Sequence, residues 1–222
     1  MTFRPKFITF DCHGTMILFD MAGAARDFYA DQFTPEQMNS FITDFSAYRL
    51  DAVLGAWRPY KDIVHEALER TCKLHNIPFD PAIADKIYDR VPSWGPHADV
   101  PAGLAKIAPH TPLVALTNSM NSQIPSNIAN LGAPIAHVYT AEDAQAYKPR
   151  MRPFEYMLDQ LGCGPEDILH VSSSFRYDLL TAHDLKIKNK VWVNRGHEPR
   201  GAEFYGYTEI KDISELPGLV GL

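Results

Sequence analysis

Five short apolar runs, residues 6–11, 113–117, 137–140, 168–172 and 190–194, constrain this chain most. Each is bounded by turn residues and most are separated by helical patterns, the signature of a parallel sheet wound with helices on both faces. Ligands of such sheets bind beyond the carboxyl ends of the strands. Three of the runs end in Asp11, Thr117 and Ser172, so the expected fold puts three polar tips on one edge. A length of 222 residues suits one α/β unit, or a core carrying a smaller insert.

The alternation breaks between about residues 16 and 97, which read as helices with no strand between them. Thr34-Pro35-Glu36-Gln37 predicts a helix start, with Thr34 as N-cap, Pro35 at the first helical position and Gln37 closing a capping box. Asp80-Pro81 opens another. Trp57-Arg58-Pro59-Tyr60 separates two helices, and the proline-rich stretch 91–96 returns the chain to the core. The expected architecture is therefore an α/β, doubly wound (Rossmann-like) core of residues 1–15 and 98–222 with an inserted all-helical cap domain, 16–97. Such an insert, entering directly after the first strand, acts as a lid or forms an extra helical layer without functional motion.

Composition excludes several classes of function. A net charge of −6 with no long Lys/Arg run argues against a nucleic-acid partner. No apolar run approaches the roughly 20 residues of a membrane span. The chain passes from Met1-Thr2-Phe3-Arg4-Pro5 straight into the first run, which predicts no signal peptide. Cys12, Cys72 and Cys163 are odd in number, widely separated and lack metal spacing, so a cytoplasmic protein without a disulfide framework is expected.

Within Phe7-Ile8-Thr9-Phe10-Asp11-Cys12-His13-Gly14-Thr15 an apolar run delivers one aspartate to a strand end, and a Gly-Thr turn follows. A carboxylate there can act as a covalent nucleophile, or merely cap the turn. Asp11-x-x-Gly14-Thr15, Thr117-Asn118, Tyr147-Lys148-Pro149, Val171-Ser172-Ser173 and Trp192-Val193-Asn194-Arg195 occur in an order that resembles the haloacid dehalogenase superfamily, and within it the type II (L-)2-haloacid dehalogenases.

The resemblance implies a hydrolase that displaces a leaving group, halide foremost, from C2 of a small 2-substituted carboxylic acid through an aspartyl ester on Asp11. Thr15, Lys148, Asp178 and Ser172 complete the implied catalytic set. Lys148 would keep Asp11 ionised. Thr117 would bind the nucleophile or the substrate carboxylate, Ser173 would position water or substrate, and Asn118, a cap arginine and an aromatic ring would receive the halide. Arg49 is the nearest arginine and Arg58 the second, while Phe175 and Trp57 are candidates for the apolar wall.

The chain also departs from the family. Superfamily phosphatases carry a second aspartate where His13 stands and another acidic residue where Ser173 stands; with that carboxylate missing, no metal and no cofactor is expected. His13 and Phe154 replace tyrosines of the dehalogenases, Ser174 replaces an asparagine, and the segment to Asp178 is one residue longer. His13 could protonate an amine or alkoxide. Three alternatives stay open: the same attack on the C–N bond of a strained cyclic amino acid, a small-molecule phosphatase, and a non-catalytic carboxylate-binding protein. The expected partner is the small-molecule substrate, with a homodimer as the base-rate assembly.

Overall fold

The computed structural model describes residues 3–222. Six strands form one all-parallel sheet: β1 (Phe7–Phe10), β2 (Leu113–Thr117), β3 (His137–Thr140), β4 (Ile168–Ser172), β5 (Asn189–Val193) and β6 (Thr208–Ile210), in the order β3-β2-β1-β4-β5-β6. Every residue of β2 and β4 is buried, as expected of central parallel strands covered on both faces. The chain winds outward from β1 in both directions. Loops after β1, β2 and β4 therefore part at the carboxyl edge and leave a crevice there.

Ten α-helices lie among the described residues: α1 (Met21–Tyr29), α2 (Pro35–Val53), α3 (Tyr60–Leu74), α4 (Pro81–Tyr88), α5 (Val100–Ile107), α6 (Ile124–Ala129), α7 (Ala141–Ala144), α8 (Arg152–Leu161), α9 (Leu180–Asp184) and α10 (Leu216–Leu219). Phe154 and Met157 of α8 and Ala182 of α9 pack with Val114, Leu116 and Ile168 on one sheet face. Gly103 of α5 lies so close to Ile213 that a Cβ would stand 2.7 Å from its carbonyl oxygen.

The chain divides into two compact units, one running to Leu18 and from Gly95 onward, the other Phe19–Trp94. The helical unit is thus narrower than the 16–97 read from sequence. Residues 16–18 and 95–97 stay with the sheet because they pair with each other: Leu18 N donates to Gly95 O, His97 N donates to Met16 O, and Ile17 bridges Pro96 antiparallel. Within the helical unit Thr34 and Gln37 make the reciprocal capping box and Asp80 caps α4. Its core is built from Met21, Tyr29, Phe41, Phe45, Val64 and Leu68. Among the described residues no helix is long and apolar enough to cross a membrane.

Candidate active site

Asp11 leaves the end of β1 while its N–H still donates to Val171 O of β4 at 3.0 Å, so the strand ladder fixes where the carboxylate starts. Behind it the chain turns tightly, the Cys12 carbonyl accepting from the N–H groups of Thr15, Met16 and Ile17. The turn needs Gly14, whose φ of +90° is costly for a residue with a Cβ. It returns Thr15 to Asp11: the hydroxyl donates to Asp11 Oδ2 at 2.6 Å. That hydroxyl has one proton, so at its remaining contacts it accepts, from Ser173 N–H at 2.8 Å and from Ser173 Oγ at 3.0 Å. Arg195 clamps the turn from outside, donating to Thr15 O while its guanidinium forks onto Asp99 at 2.8 and 2.9 Å.

The other Asp11 oxygen faces Lys148. The ammonium, with the residue 1% exposed, donates to Asp11 Oδ1 at 2.8 Å, Asp178 Oδ1 at 2.8 Å and Leu116 O at 2.9 Å, using all three N–H bonds. Asn118 holds the lysine backbone from both sides, Oδ1 accepting from Lys148 N at 2.8 Å and Nδ2 donating to Lys148 O at 2.9 Å. One Nδ2 hydrogen is left for any other acceptor. Thr117 Oγ1 accepts from Ser119 N at 3.3 Å.

Asp178 reaches Lys148 from Phe175–Leu179, a π turn in which Leu179 N donates to Ser174 O. His170 supports Asp178 from below: its Nε2 lies 3.1 Å from Asp178 Oδ1 and its Nδ1 lies 2.8 Å from Thr9 Oγ1. Donation by Nε2–H to the carboxylate and by the Thr9 hydroxyl to Nδ1 satisfies all three groups. Phe154 lies edge-on against His170, centroids 5.1 Å apart. The other carboxylate oxygen, Asp178 Oδ2, is buried with no hydrogen-bond partner among the described residues.

Two carboxylates thus share one ammonium. Burial pushes the Asp11 carboxyl above the usual carboxylate range, and the Asp178 charge adds to this, although Lys148 and Thr15 pull the other way. For Asp178 burial is outweighed by the Lys148 ammonium and the His170 hydrogen bond, and it sits below that range. Burial of Lys148 is outweighed in turn by Asp11 and Asp178, so its pKa is raised. His13, with Ser119 Oγ at 3.4 Å from its Nδ1, is pushed down to about 4 by burial and by Lys148, against a hydrogen bond to Asn127. Cys12 is fully buried and pushed up to about 12, an unreactive thiol.

Several residues singled out from sequence have different employment. Ser172 Oγ accepts from Ser174 N at 3.0 Å. Ser174 is the N-cap of the π turn, accepting from Tyr177 N at 3.1 Å and donating to Glu198 at 2.5 Å. Glu198 also takes Phe175 N–H at 2.7 Å. The Phe175 ring packs 5.1 Å from Trp192 and 4.9 Å from Tyr207. His170, Thr9, Glu198 and Arg195 carry contacts that sequence reading did not assign. A signal existed for two of them: Thr9 and His170 precede Asp11 and Ser172 by two residues, one strand period, and so share their face.

In the helical unit the two candidate arginines differ in their counter-ions. Arg58 is ion-paired with Glu66 and partly exposed. Arg49 is 7% exposed, its guanidinium 5.3 and 4.9 Å from the Phe19 and Phe45 ring centres, with Tyr60 Oη at 3.4 Å and no carboxylate partner among the described residues. Trp57 Nε1 is buried in the same unit without a hydrogen-bond acceptor among those residues.

The described residues hold no cluster of three or more His, Cys, Asp or Glu side chains placed to ligate a metal ion. At the carboxyl edge the cation between the two carboxylates is the Lys148 ammonium, and Ser173 stands in hydrogen bonds to Thr15.

No protein-family model matches the sequence, and no curated protein matches it. Solved structures do. A dehalogenase with an intermediate complex superposes with a TM-score of 0.83 at 19% identity, covering 100% of both chains. The L-2-haloacid dehalogenase of Xanthobacter autotrophicus with chloropropionic acid covalently bound gives 0.78 at 20% identity, over 97% of this chain and 98% of that one. A Bacillus subtilis chain named as a HAD-hydrolase, bound to magnesium, gives 0.81 at 17% identity over 99% and 100%. Because chains named as dehalogenases and a magnesium-bound chain named as a HAD-hydrolase superpose alike, the fold does not choose between their chemistries; the side chains must. The chain has the haloacid dehalogenase fold.

Proposed function

We propose that the protein is a hydrolase that displaces halide from C2 of a small 2-halocarboxylate through an ester on Asp11, without a metal ion. Asp11 forms the Oδ–C2 bond as the C2–halide bond breaks. Water then adds to the ester carbonyl, releasing the 2-hydroxy acid and leaving one water oxygen on Asp11. The observation that carries this reading is Asp11 itself: an 8% exposed carboxylate with one oxygen on Thr15 and the other on an ammonium. Such fixation holds a nucleophile in line for displacement. Asp178, ionised and with Oδ2 unengaged, is the base available to the water step.

The leaving group follows from His13. Amines and alkoxides must be protonated as they depart, and a histidine pushed down to about 4 is not an imidazolium at neutral pH. Halide departs as an anion and needs no acid. A magnesium-assisted route fits poorly as well, because a hard dication needs several oxygen ligands and Asp178 Oδ1 is already shared by Lys148 and His170. The test is release of free halide from 2-chloropropionate with EDTA present. Activity should fall on acidification above the usual carboxylate range, as Asp11 protonates, with no alkaline loss from Lys148 below about pH 10. Inactivity on every 2-halo acid, with phosphate-ester turnover on adding Mg²⁺, would overturn the proposal.

Of the two arginines expected to receive the halide we carry Arg49 forward, since within its own unit a buried guanidinium without a carboxylate is costly until an anion compensates it. Arg49→Met should lower kcat/KM by about 10²-fold or more, the loss of one charge-assisted contact of about 3 kcal/mol. Arg58→Met, whose charge Glu66 already neutralises, should change it less than about threefold. Equal effects in steady-state kinetics would remove Arg49 from the site.

A further inference from the structure

A second buried lysine sits at the opposite end of the sheet. Lys190, at the amino end of β5, is 5% exposed, and its one hydrogen bond among the described residues is to Ile187 O at 2.5 Å. Lys148 has two carboxylates against its ammonium; Lys190 has none. With no carboxylate to offset it, burial lowers the Lys190 pKa, whereas at Lys148 the two carboxylates outweigh burial and raise it. Lys186 and Lys188 flank it, both exposed and neither within ion-pair distance of a carboxylate among the described residues. In a chain of net charge −6 such an uncompensated basic cluster is conspicuous.

Lys188 and Lys190 line a cleft of about 340 Å³ at the amino ends of β4, β5 and β6. Its lining contains no Asp or Glu. Thr208 adds a hydroxyl, while Leu169, Leu219 and Val220 make an apolar wall. A volume near the lower end of small-molecule sites, with few polar groups beside apolar walls, suits a compact ligand. We propose that this cleft binds a small organic anion, its carboxylate or phosphate head on Lys190 and Lys188 and its short apolar body against Leu169, Leu219 and Val220. The proposal is independent of the reading of the Asp11 site.

The test is titration of the full chain with benzoate, phenyl phosphate and inorganic phosphate, followed by calorimetry and thermal shift. Benzoate or phenyl phosphate should bind and raise the Tm, and the stronger of the two identifies the preferred head. Lys190→Met should weaken that binding at least about tenfold, the loss of a charge-assisted contact. Asp11→Asn should leave it unchanged, which separates this cleft from the carboxyl edge. Should Lys190→Met not fold, wild-type protein can be acetylated with and without phenyl phosphate and the peptides mapped. Selective protection of Lys190, with exposed Lys6 unprotected, supports the site. No binding by either aromatic anion, inorganic phosphate binding as tightly as phenyl phosphate, binding retained in Lys190→Met, or binding lost in Asp11→Asn would each overturn it.

Discussion

Asp11→Asn should abolish turnover, by about 10⁴-fold or more in kcat, while the protein stays folded and no less stable. The substitution keeps the shape of the side chain and an acceptor for the Thr15 hydroxyl, now 2.6 Å from Asp11 Oδ2. It removes the one atom that can form the ester. The charge balance also improves. In the native cluster one ammonium faces two carboxylates, and burial pushes Asp11 up because its ionised form is the costly member. With Asn at position 11, Lys148 keeps Asp178 and Leu116 O, two of its three original acceptors, and forms a neutral pair with Asp178. A Tm equal to or above wild type is the expected companion of the lost activity, as where a site keeps a group its fold would rather neutralise. Single turnover of the wild type in ¹⁸O-labelled water should leave heavy oxygen on the Asp11 peptide. An unlabelled peptide, or a variant turning over near the wild-type rate, would remove the ester mechanism.

How much of this could be read beforehand depends on where the deciding partner lies. The runs 113–117 and 168–172 coincide with β2 and β4, because buried parallel strands write themselves as unbroken apolar stretches, and 137–140 coincides with the edge strand β3, of which only Thr140 is buried. β6 did not announce itself: it has three residues, and Ile210 alone is buried. Asp11, Thr15 and Lys148 are brought into hydrogen-bond contact as their motifs implied. The strand period places His170 on the face of Ser172, but its pairing with Thr9 follows from the β1–β4 register, which no local pattern contains. The contacts of Ser174 with Glu198, 24 residues further on, and of the Phe175 ring with Trp192 and Tyr207 lie outside any local pattern. Choosing between Arg49 and Arg58 required knowing that α3 supplies Glu66 to one of them and no carboxylate to the other.

Lys148→Met should damage both activity and stability, and pH should separate the causes. At pH 8 the variant should lose on the order of 3–5 kcal/mol, because removing one partner of a buried ion pair strands the other. Here two are stranded, Asp11 and Asp178, each 2.8 Å from the missing ammonium. Without that cation both carboxyls titrate in the folded state at higher pH than in the unfolded chain, so the folded variant binds protons more tightly. Its stability therefore falls as pH rises through those raised values and recovers as pH falls below them. The wild type runs the other way with respect to Asp178, whose pKa lies below the usual range: its contribution is present at neutral pH and fades on acidification. The two stability curves should converge towards acid pH, with the difference at pH 5 well under that at pH 8 by urea denaturation. A constant difference would mean that Lys148 stabilises through packing and its bond to Leu116 O alone. Turnover should fall by about 10³-fold or more throughout, since a protonated Asp11 cannot attack and an ionised one lacks the ammonium that aligns it. Stability regained at pH 5 without activity would show that charge compensation and nucleophile alignment, joined in one side chain, are separable demands on this fold.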